Sequence, residues 1–192
     1  MKWLTGRGAL AALAVGLATI WGFGWRGVVM LLAFFVTGSL LTRVQGGGRQ
    51  RNERQVLANG GVAALAALLG SWAAFAGSLA AATADTWATE IGKYSRTPPR
   101  LITNGTPVPT GTDGGITALG TVGGLAGAAV IGVLSGSVVV VSLAGMFGML
   151  LDSLLGATVQ GRLRWLDNDA VNLAATVSGA GVALLASRLC CR

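Results

Sequence analysis

Two carboxylates stand inside apolar segments of the sequence. Asp85 lies in the string Ala84-Asp-Thr-Trp-Ala-Thr-Glu-Ile-Gly-Lys93, and Asp152 opens the string Asp152-Ser-Leu-Leu-Gly-Ala-Thr-Val-Gln160. A charged side chain in a membrane helix is costly unless it is paired or hydrated, so its presence indicates a function. Two such acids from different helices would suit Mg²⁺, which binds one or two carboxylates together with substrate phosphates. The alternative for Asp152 is a helix–helix hydrogen bond.

A third acid, Glu90, follows Asp85 by five residues. At 100° per residue it lies ~140° around the helix from Asp85, whereas Thr89 shares the Asp85 face. Both acids would reach one metal only if the helix ended or unwound near Gly92. The alternative is an ion pair between Glu90 and Lys93 at the membrane interface.

The helix that carries Asp152 has a polar line on one face. Asp152, Gly156 and Gln160 recur every four residues in an otherwise apolar segment. We expect this line to face a cavity of the helix bundle.

A loop rich in proline and glycine, at about 93–114, separates the two acidic segments. A glycine-rich turn that leads into a helix presents backbone N–H groups and a positive dipole end, which suits a phosphate. Thr112 or Asp113 is predicted to cap the following helix. The Walker sequence is absent, so the loop is not a P-loop. Without other information, an ordinary connector is as good an interpretation as a phosphate cradle.

Further polar residues near these segments are candidate ligands of a substrate phosphate. Arg54 and Asn59 follow a basic cluster, and Asn168 and Asn172 open the last apolar segment. Arginine binds phosphate through two hydrogen bonds. A juxtamembrane basic cluster also serves as an orientation signal or a lipid contact, and that alternative stays open for Arg54.

The composition excludes an ordinary soluble domain. The chain has 192 residues, of which 53% are apolar and 11% charged, against ~25% charged in an average globular protein. At ~20 residues per span, hydropathy predicts seven spans, with five or six as alternatives. The predicted segments are 8–23, 25–42, 56–70, 72–91, 115–134, 137–160 and 169–187. A signal peptide is the less favoured interpretation of the first segment. The sequence thus predicts one all-α polytopic membrane domain over residues 1–192.

Charge asymmetry predicts the orientation of this bundle. With the N-terminus in the cytoplasm, only Arg26, Arg188 and Arg192 fall on the outer face. The inner face receives Lys2, Arg7, Arg43, Arg49, Arg51, Arg54, Lys93, Arg96, Arg100, Arg162 and Arg164. All seven acids also fall at or near this face, so we expect a multi-pass protein of the cell's inner membrane with a cytoplasmic active site.

Several chemistries are excluded or disfavoured. Histidine is absent, which removes histidine-based triads and zinc sites. Cys190 and Cys191 are adjacent and cannot frame a disulfide core. The arginines flank apolar segments without interleaved aromatic residues, so a nucleic-acid polymer is not an expected partner.

Five motifs in register resemble the transmembrane protein 19-like family, also called domain of unknown function 92. They are Gln55-Val-Leu-Ala-Asn-Gly60, Asp85-Thr-Trp-Ala-Thr-Glu-Ile-Gly92, Val108-Pro-Thr-Gly-Thr-Asp-Gly-Gly115, Asp152-Ser-Leu-Leu-Gly-Ala-Thr-Val-Gln160 and Asn168-Asp-Ala-Val-Asn172. The family includes phytyl-phosphate kinases of plants and cyanobacteria. It is distantly similar to dolichol and phytol kinases and to CDP-diacylglycerol synthases.

The resemblance implies a kinase that uses CTP or another nucleoside triphosphate and Mg²⁺ to convert a prenyl monophosphate, phytyl or geranylgeranyl, to the diphosphate. It implies Asp85, Glu90 and Asp152 as metal-binding and catalytic acids, with Lys93 and Arg100 neutralising charge. The implied nucleotide-phosphate loop comprises Asn104, Gly105, Thr106, Thr110, Gly111, Thr112, Asp113, Gly114 and Gly115. The candidate ligands of the substrate phosphate are Arg54, Asn59, Gln160, Asn168 and Asn172. The prenyl tail is expected among the Ala- and Gly-rich spans, in contact with membrane lipids.

Three other functions remain open at this point. A cytidylyltransferase that makes a CDP-lipid would use the same loop and metal but release pyrophosphate. A cation-coupled transporter would use Asp85 and Asp152 as an ion path, although carriers place such acids near the midplane. A non-catalytic membrane scaffold is the last alternative.

Overall fold

The computed structural model describes residues 3–44 and 50–190. Of the residues discussed above, Lys2, Arg49, Cys191 and Arg192 lie outside this description. The described residues form six helices and two short strands. In chain order the helices are α1 (Gly6–Val44), α2 (Glu53–Leu68), α3 (Trp72–Gly92), α4 (Ala118–Ser135), α5 (Val138–Thr158) and α6 (Asn168–Cys190). The strands β1 (Arg100–Leu101) and β2 (Gly115–Ile116) lie between α3 and α4.

The architecture is that of an all-α membrane protein. Within the described residues, four helical stretches are long and apolar enough to cross a membrane: Gly6–Val44, Ala118–Ser135, Val138–Thr158 and Asn168–Leu189. The described residues contain six helices rather than seven, because the predicted segments 8–23 and 25–42 both lie in α1. The small β1–β2 hairpin is an addition that hydropathy did not indicate.

Helix α1 is broken at Gly24. This residue has φ 58° and ψ −146°, a combination that only glycine adopts at low cost. The rings of Trp3 and Phe35 are 5.6 Å apart, and a side chain at Gly27 would press against Thr19. The two arms of α1, 6–23 and 25–44, therefore pack side by side as an antiparallel pair.

Helix α4 begins with a threonine cap. The Thr117 side chain accepts a hydrogen bond from the backbone N–H of Gly120 at 2.9 Å, which satisfies one of the free donors of the first turn. The prediction that Thr112 or Asp113 caps this helix is wrong. Those residues precede β2, whose pairing with β1 delays the helix to Ala118.

Helix α3 is the central helix of the bundle and contacts each of the other five. Residues 75–84 are buried without interruption, so this helix has no lipid-facing side over that length. Small residues allow neighbouring helices to come this close. A side chain at Gly77 would collide with the carbonyl oxygen of Gly179 on α6, so these two backbones are in direct contact.

The two ends of the bundle differ in their connections. At one end the helices are joined through Gly24, 69–71 and 136–137. At the other, which we call the loop end, lie the connections 93–117 and 159–167. The acids lie in or near the loop end: Glu53, Asp85, Glu90, Asp113, Asp152, Asp167 and Asp169. All the acidic side chains of the sequence thus lie in one half of the molecule.

Candidate functional site

The connection between α3 and α4 folds into an ordered structure against the bundle. Strands β1 and β2 pair antiparallel, with Arg100 opposite Ile116 and Leu101 opposite Gly115. The N–H of Ile102 donates to the Gly114 carbonyl at 3.0 Å. The hairpin holds the segment 110–117 across the loop end of α3, α4 and α5.

A second anchor fixes this segment to α5. Gly114 has φ +74°, and a side chain there would come within 2.6 Å of the Ser153 carbonyl oxygen and the Ala157 nitrogen. A side chain at Gly156 would lie 3.0 Å from the backbone nitrogen of Gly114. Both glycines are therefore required for the loop backbone to lie directly on α5.

An open cavity of ≈ 180 Å³ lies between this segment and the loop ends of α3, α4 and α5. The segment 110–117 forms one wall, and α3, α4 and α5 form the others. The structure brings eleven of the predicted site residues to its lining. They are Asp85, Lys93, Thr110, Gly111, Thr112, Asp113, Gly114, Gly115, Asp152, Gln160 and Asn168.

Two carboxylates from different helices line this cavity. Asp85 projects from α3 and Asp152 from α5, and the charges of Asp85 and Asp113 both act on Asp152. Within the described residues, Asp152 Oδ2 is buried and has no hydrogen-bond partner. A buried oxygen of this kind is normally satisfied by a ligand, an ion or water. The acid pair therefore fits a hard cation such as Mg²⁺, which needs few protein oxygens when phosphates supply others.

The N-terminus of α4 forms part of the cavity wall. Thr117, Gly120 and Thr121 line the cavity there, and α4 comes so close to α3 that a side chain at Gly120 would lie 2.7 Å from the Ala88 carbonyl oxygen. The first turn of a helix carries free N–H groups and a partial positive charge. The cavity thus has acidic groups on two helices and a positive helix end on a third.

Glu90 lies outside this cavity. Its carboxylate accepts hydrogen bonds from Thr42 at 3.0 Å and from Lys93 at 2.5 Å. It is 7% exposed and faces α1 and Arg51. Burial lowers the pKa of the Arg51 guanidinium, and the charge of Glu90 acts in the opposite direction. The structure does not bring Glu90 to Asp85, and the described residues contain no group of three acidic or cysteine side chains arranged for a metal.

Lys93 contacts both the cavity and Glu90. Its side chain lines the cavity, while its ammonium group is held by Glu90 on the α1 side of α3. The predicted pairing of Glu90 with Lys93 is present in the structure. Glu90 therefore contacts a residue of the cavity lining without lining the cavity itself.

Part of the predicted nucleotide loop lies at the tip of the β1–β2 hairpin, away from the cavity lining. Arg100 donates from Nη1 to the Gly105 carbonyl at 2.8 Å, and Asn104 Oδ1 accepts from the Thr106 N–H at 3.0 Å. These contacts close the hairpin turn on itself. Arg100, Asn104, Gly105 and Thr106 thus have a local structural role in this arrangement.

Three of the predicted ligands of a substrate phosphate also lie outside the cavity. Arg54 pairs with Asp167 at 2.5 Å and with Asp169 at 3.5 Å. The backbone N–H of Ala170, together with Arg54, holds the pKa of Asp167 below its usual value. The Asn59 amide donates to the Gln55 carbonyl one turn earlier. Asn172, on α6, is not part of the cavity lining.

Sequence reasoning did not single out Thr117, Thr121 and Ser153 as site residues, although all three line the cavity. Thr117 carries a recognisable signal, since a threonine directly before an apolar run is a typical helix cap. Thr121 follows it by four residues on the same face. Ser153 is next to Asp152, and no pattern in the sequence distinguishes it.

The comparisons with known proteins agree with this architecture. The sequence matches the family described as integral membrane protein DUF92 over residues 1–180. An uncharacterized membrane protein of Methanocaldococcus jannaschii is 36% identical over 203 residues, covering 95% of this chain and 85% of that protein. An uncharacterized membrane protein of Synechocystis is 32% identical over 220 residues, covering 92% of this chain and 85% of that protein.

A plant protein is also similar. Protein PGR of Arabidopsis thaliana is 33% identical over 190 residues, which cover 71% of this chain and 65% of that protein. No solved structure matches the chain. From the family match and these relatives, the chain belongs to the DUF92 family of integral membrane proteins.

Proposed function

We propose that this protein is a membrane-embedded CTP-dependent prenyl-phosphate kinase that works at the loop end, on the cytoplasmic side of the cell membrane. One observation carries the proposal. Asp85 and Asp152, from two helices, share a cavity with a glycine-rich loop and the N-terminus of α4. Family membership supports the assignment, because the motifs on these elements are those that resemble phytyl-phosphate kinases.

The chemistry of the cavity suits phosphoryl transfer. A Mg²⁺ ion held by Asp85 and Asp152 would neutralise charge on the transferring phosphate oxygens. The N–H groups of the α4 N-terminus and of the segment 110–117 would orient the triphosphate. Lys93 lines the α3 side of the cavity, with its ammonium group paired to Glu90. These groups position substrates and stabilise charge, which is most of what phosphoryl transfer requires.

The proposed reaction needs no general base. A phosphate oxygen of the prenyl monophosphate attacks the γ-phosphorus of CTP and forms the new P–O bond. The bond between that phosphorus and the β,γ-bridging oxygen breaks, and CDP leaves with the electron pair. The attacking oxygen is already ionised near neutral pH, so the absence of histidine from the sequence is no obstacle.

Product analysis tests the proposal. Purified protein in detergent would be incubated with Mg²⁺, labelled CTP and either phytyl or geranylgeranyl monophosphate. We expect CDP and the prenyl diphosphate to form, and Asp85→Asn to lower kcat by at least about 100-fold, as expected for loss of a transition-state charge contact. Glu53→Gln is the matched control, because Glu53 is an acid of the loop end that pairs with Arg7 and lies outside the cavity.

Other products would assign the cavity differently. Pyrophosphate together with a CDP-lipid would identify a cytidylyltransferase that attacks the α-phosphate. Consumption of no nucleotide with any prenyl phosphate or phospholipid acid would overturn the kinase proposal. A cation-flux assay on reconstituted vesicles would then follow.

A further inference from the structure

An apolar groove lies beside the cavity, between the β1–β2 hairpin and the first turns of α4. It has a volume of ≈ 580 Å³. Its lining includes Leu101, Ile102, Ala118 and Val122, with Arg100 as its charged residue. The groove therefore offers mainly hydrocarbon surface at the loop end of the bundle.

The groove lies next to the cavity and shares lining residues with it. Both spaces are lined by Ile116, Thr117 and Thr121. A molecule can therefore lie in the groove with its polar end next to the cavity. Val122 is 64% exposed, and the exposed apolar side of α4 continues from it along a helix that is apolar enough to cross a membrane. A tail that enters the groove from the bilayer thus stays in apolar surroundings.

Two other locations for a lipid tail, the cavity and the interior of the helix bundle, are less suitable. Sites for small organic molecules typically occupy ~300–1,000 Å³, whereas the cavity of ≈ 180 Å³ is suited to phosphate groups. The expected location among the Ala- and Gly-rich spans is occupied by protein, since residues 75–84 of α3 are continuously buried. Helices α3 and α6 touch backbone to backbone at Gly77 and Gly179.

We propose that this groove binds the isoprenoid tail of a phosphorylated lipid, with the tail along Ala118 and Val122 and the phosphate directed past Thr117 and Thr121 into the cavity. The assignment rests on the proposed kinase function, and it places the tail on the exposed side of α4 rather than inside the bundle.

Photolabelling tests the location without requiring turnover. Wild-type protein in detergent would be irradiated with a geranylgeranyl monophosphate analogue that carries a diazirine on its tail, and the labelled peptides would be mapped. We expect labelling within 100–122 that excess geranylgeranyl monophosphate suppresses and phosphatidic acid does not. Suppressible labelling on other helices, or groove labelling that neither lipid suppresses, would overturn the proposal.

Kinetics of a groove variant provide the second test. Val122→Trp is expected to raise KM for geranylgeranyl monophosphate by about tenfold, in the range found for altered apolar pockets. KM for CTP and turnover of dimethylallyl monophosphate, whose tail is short, should not change. The matched control is Val133→Trp on the same helix, since Val133 is 63% exposed but remote from the groove. An equal effect on the long and short substrates would overturn the groove assignment.

The two tests separate this proposal from the kinase assignment. Suppressible groove labelling without any nucleotide consumption would reject the kinase and retain the tail site. Prenyl diphosphate formation with labelling elsewhere would retain the kinase and reject the groove.

Discussion

At the scale of single residues, Asp85 and Glu90 show how helix geometry separates two acids of one motif. They are five positions apart on α3, and the structure turns Asp85 to the cavity and Glu90 to α1. The ~140° angle between them on a regular helix indicates this separation, whereas the resemblance implied both as metal-binding acids. The sequence could not predict that α3 stays regular to Gly92, because nothing local forces a helix to continue or to unwind there.

The Glu90–Lys93 pair is expected to be energetically coupled. Lys93→Met removes a donor from a carboxylate that is 7% exposed, so we expect a loss of about 1–3 kcal/mol in the free energy of unfolding. Adding Glu90→Gln to Lys93→Met should lower the free energy of unfolding only a little further. The coupling energy between the two residues is then about 0.5–3 kcal/mol. Unfolding of the four proteins in detergent, followed by tryptophan fluorescence, measures this double-mutant cycle.

A surface pair is the control for this cycle. Arg7 and Glu53 are 3.8 Å apart, with side-chain exposures of 84% and 38%, so their coupling should stay below about 1 kcal/mol. Additive effects at Glu90 and Lys93 would show that Glu90 does not hold the lysine in place.

At the scale of elements, the loop 93–117 is a part of the fold and not a flexible tether. Its hairpin is closed by backbone hydrogen bonds, and Gly114 seats it on α5. Proline and glycine content predicted a loop between the two acidic segments. It could not show that residues 110–117 line the cavity while Asn104, Gly105 and Thr106 lie away from it, since the pairing of β1 with β2 depends on two short stretches with no alternating pattern.

Two glycines of this loop give a matched pair of variants. Both have positive φ, +74° at Gly114 and +90° at Gly111, but only Gly114 has neighbours that a methyl group would strike. Each alanine variant pays a backbone cost of about 1–3 kcal/mol. Gly114→Ala must in addition displace the loop from α5.

Hydrogen exchange of the loop distinguishes these two effects. We expect Gly114→Ala to accelerate exchange across 99–116 and to abolish prenyl diphosphate formation, whereas Gly111→Ala should leave protection of the hairpin intact. Equal protection in the two variants would mean that contact with α5 does not hold the loop.

At the scale of the whole molecule, hydropathy located the helices well because each apolar run is bounded by polar or glycine residues. The segments 72–91 and 137–160 correspond to α3 and α5 within two residues at each end. The predicted boundary between the first two segments falls on Gly24, where α1 breaks. The break itself could not be predicted, because the sequence pattern does not contain the backbone angles of Gly24.

The charge distribution predicts how the molecule lies in the membrane. The far end carries Arg26 and Arg188, and the remaining described bases belong to the loop end: Arg7, Arg43, Arg51, Arg54, Lys93, Arg96, Arg100, Arg162 and Arg164. Basic residues are retained on the cytoplasmic side. We therefore expect the loop end to face the cytoplasm.

Cysteine labelling in whole cells tests this orientation. With Cys190 and Cys191 replaced by serine, Ser137→Cys at the far end should react with an impermeant maleimide in intact cells. Thr97→Cys at the loop end should react only after the membrane is opened. The opposite pattern would place the acidic cavity outside the cytoplasm and would remove its access to CTP.

The enclosure of α3 has a consequence for how the protein is made. This helix carries Asp85 and Glu90 and is not among the four stretches apolar enough to cross a membrane by themselves. Its most extensive contacts are with α4, α5 and α6, which are all synthesised after it. A ribosome-bound chain that ends near residue 115 therefore presents the translocon with a helix whose Asp85 has no cavity to occupy. We expect α3 to leave the translocon and settle in the bilayer only when the C-terminal half of the protein arrives to surround it.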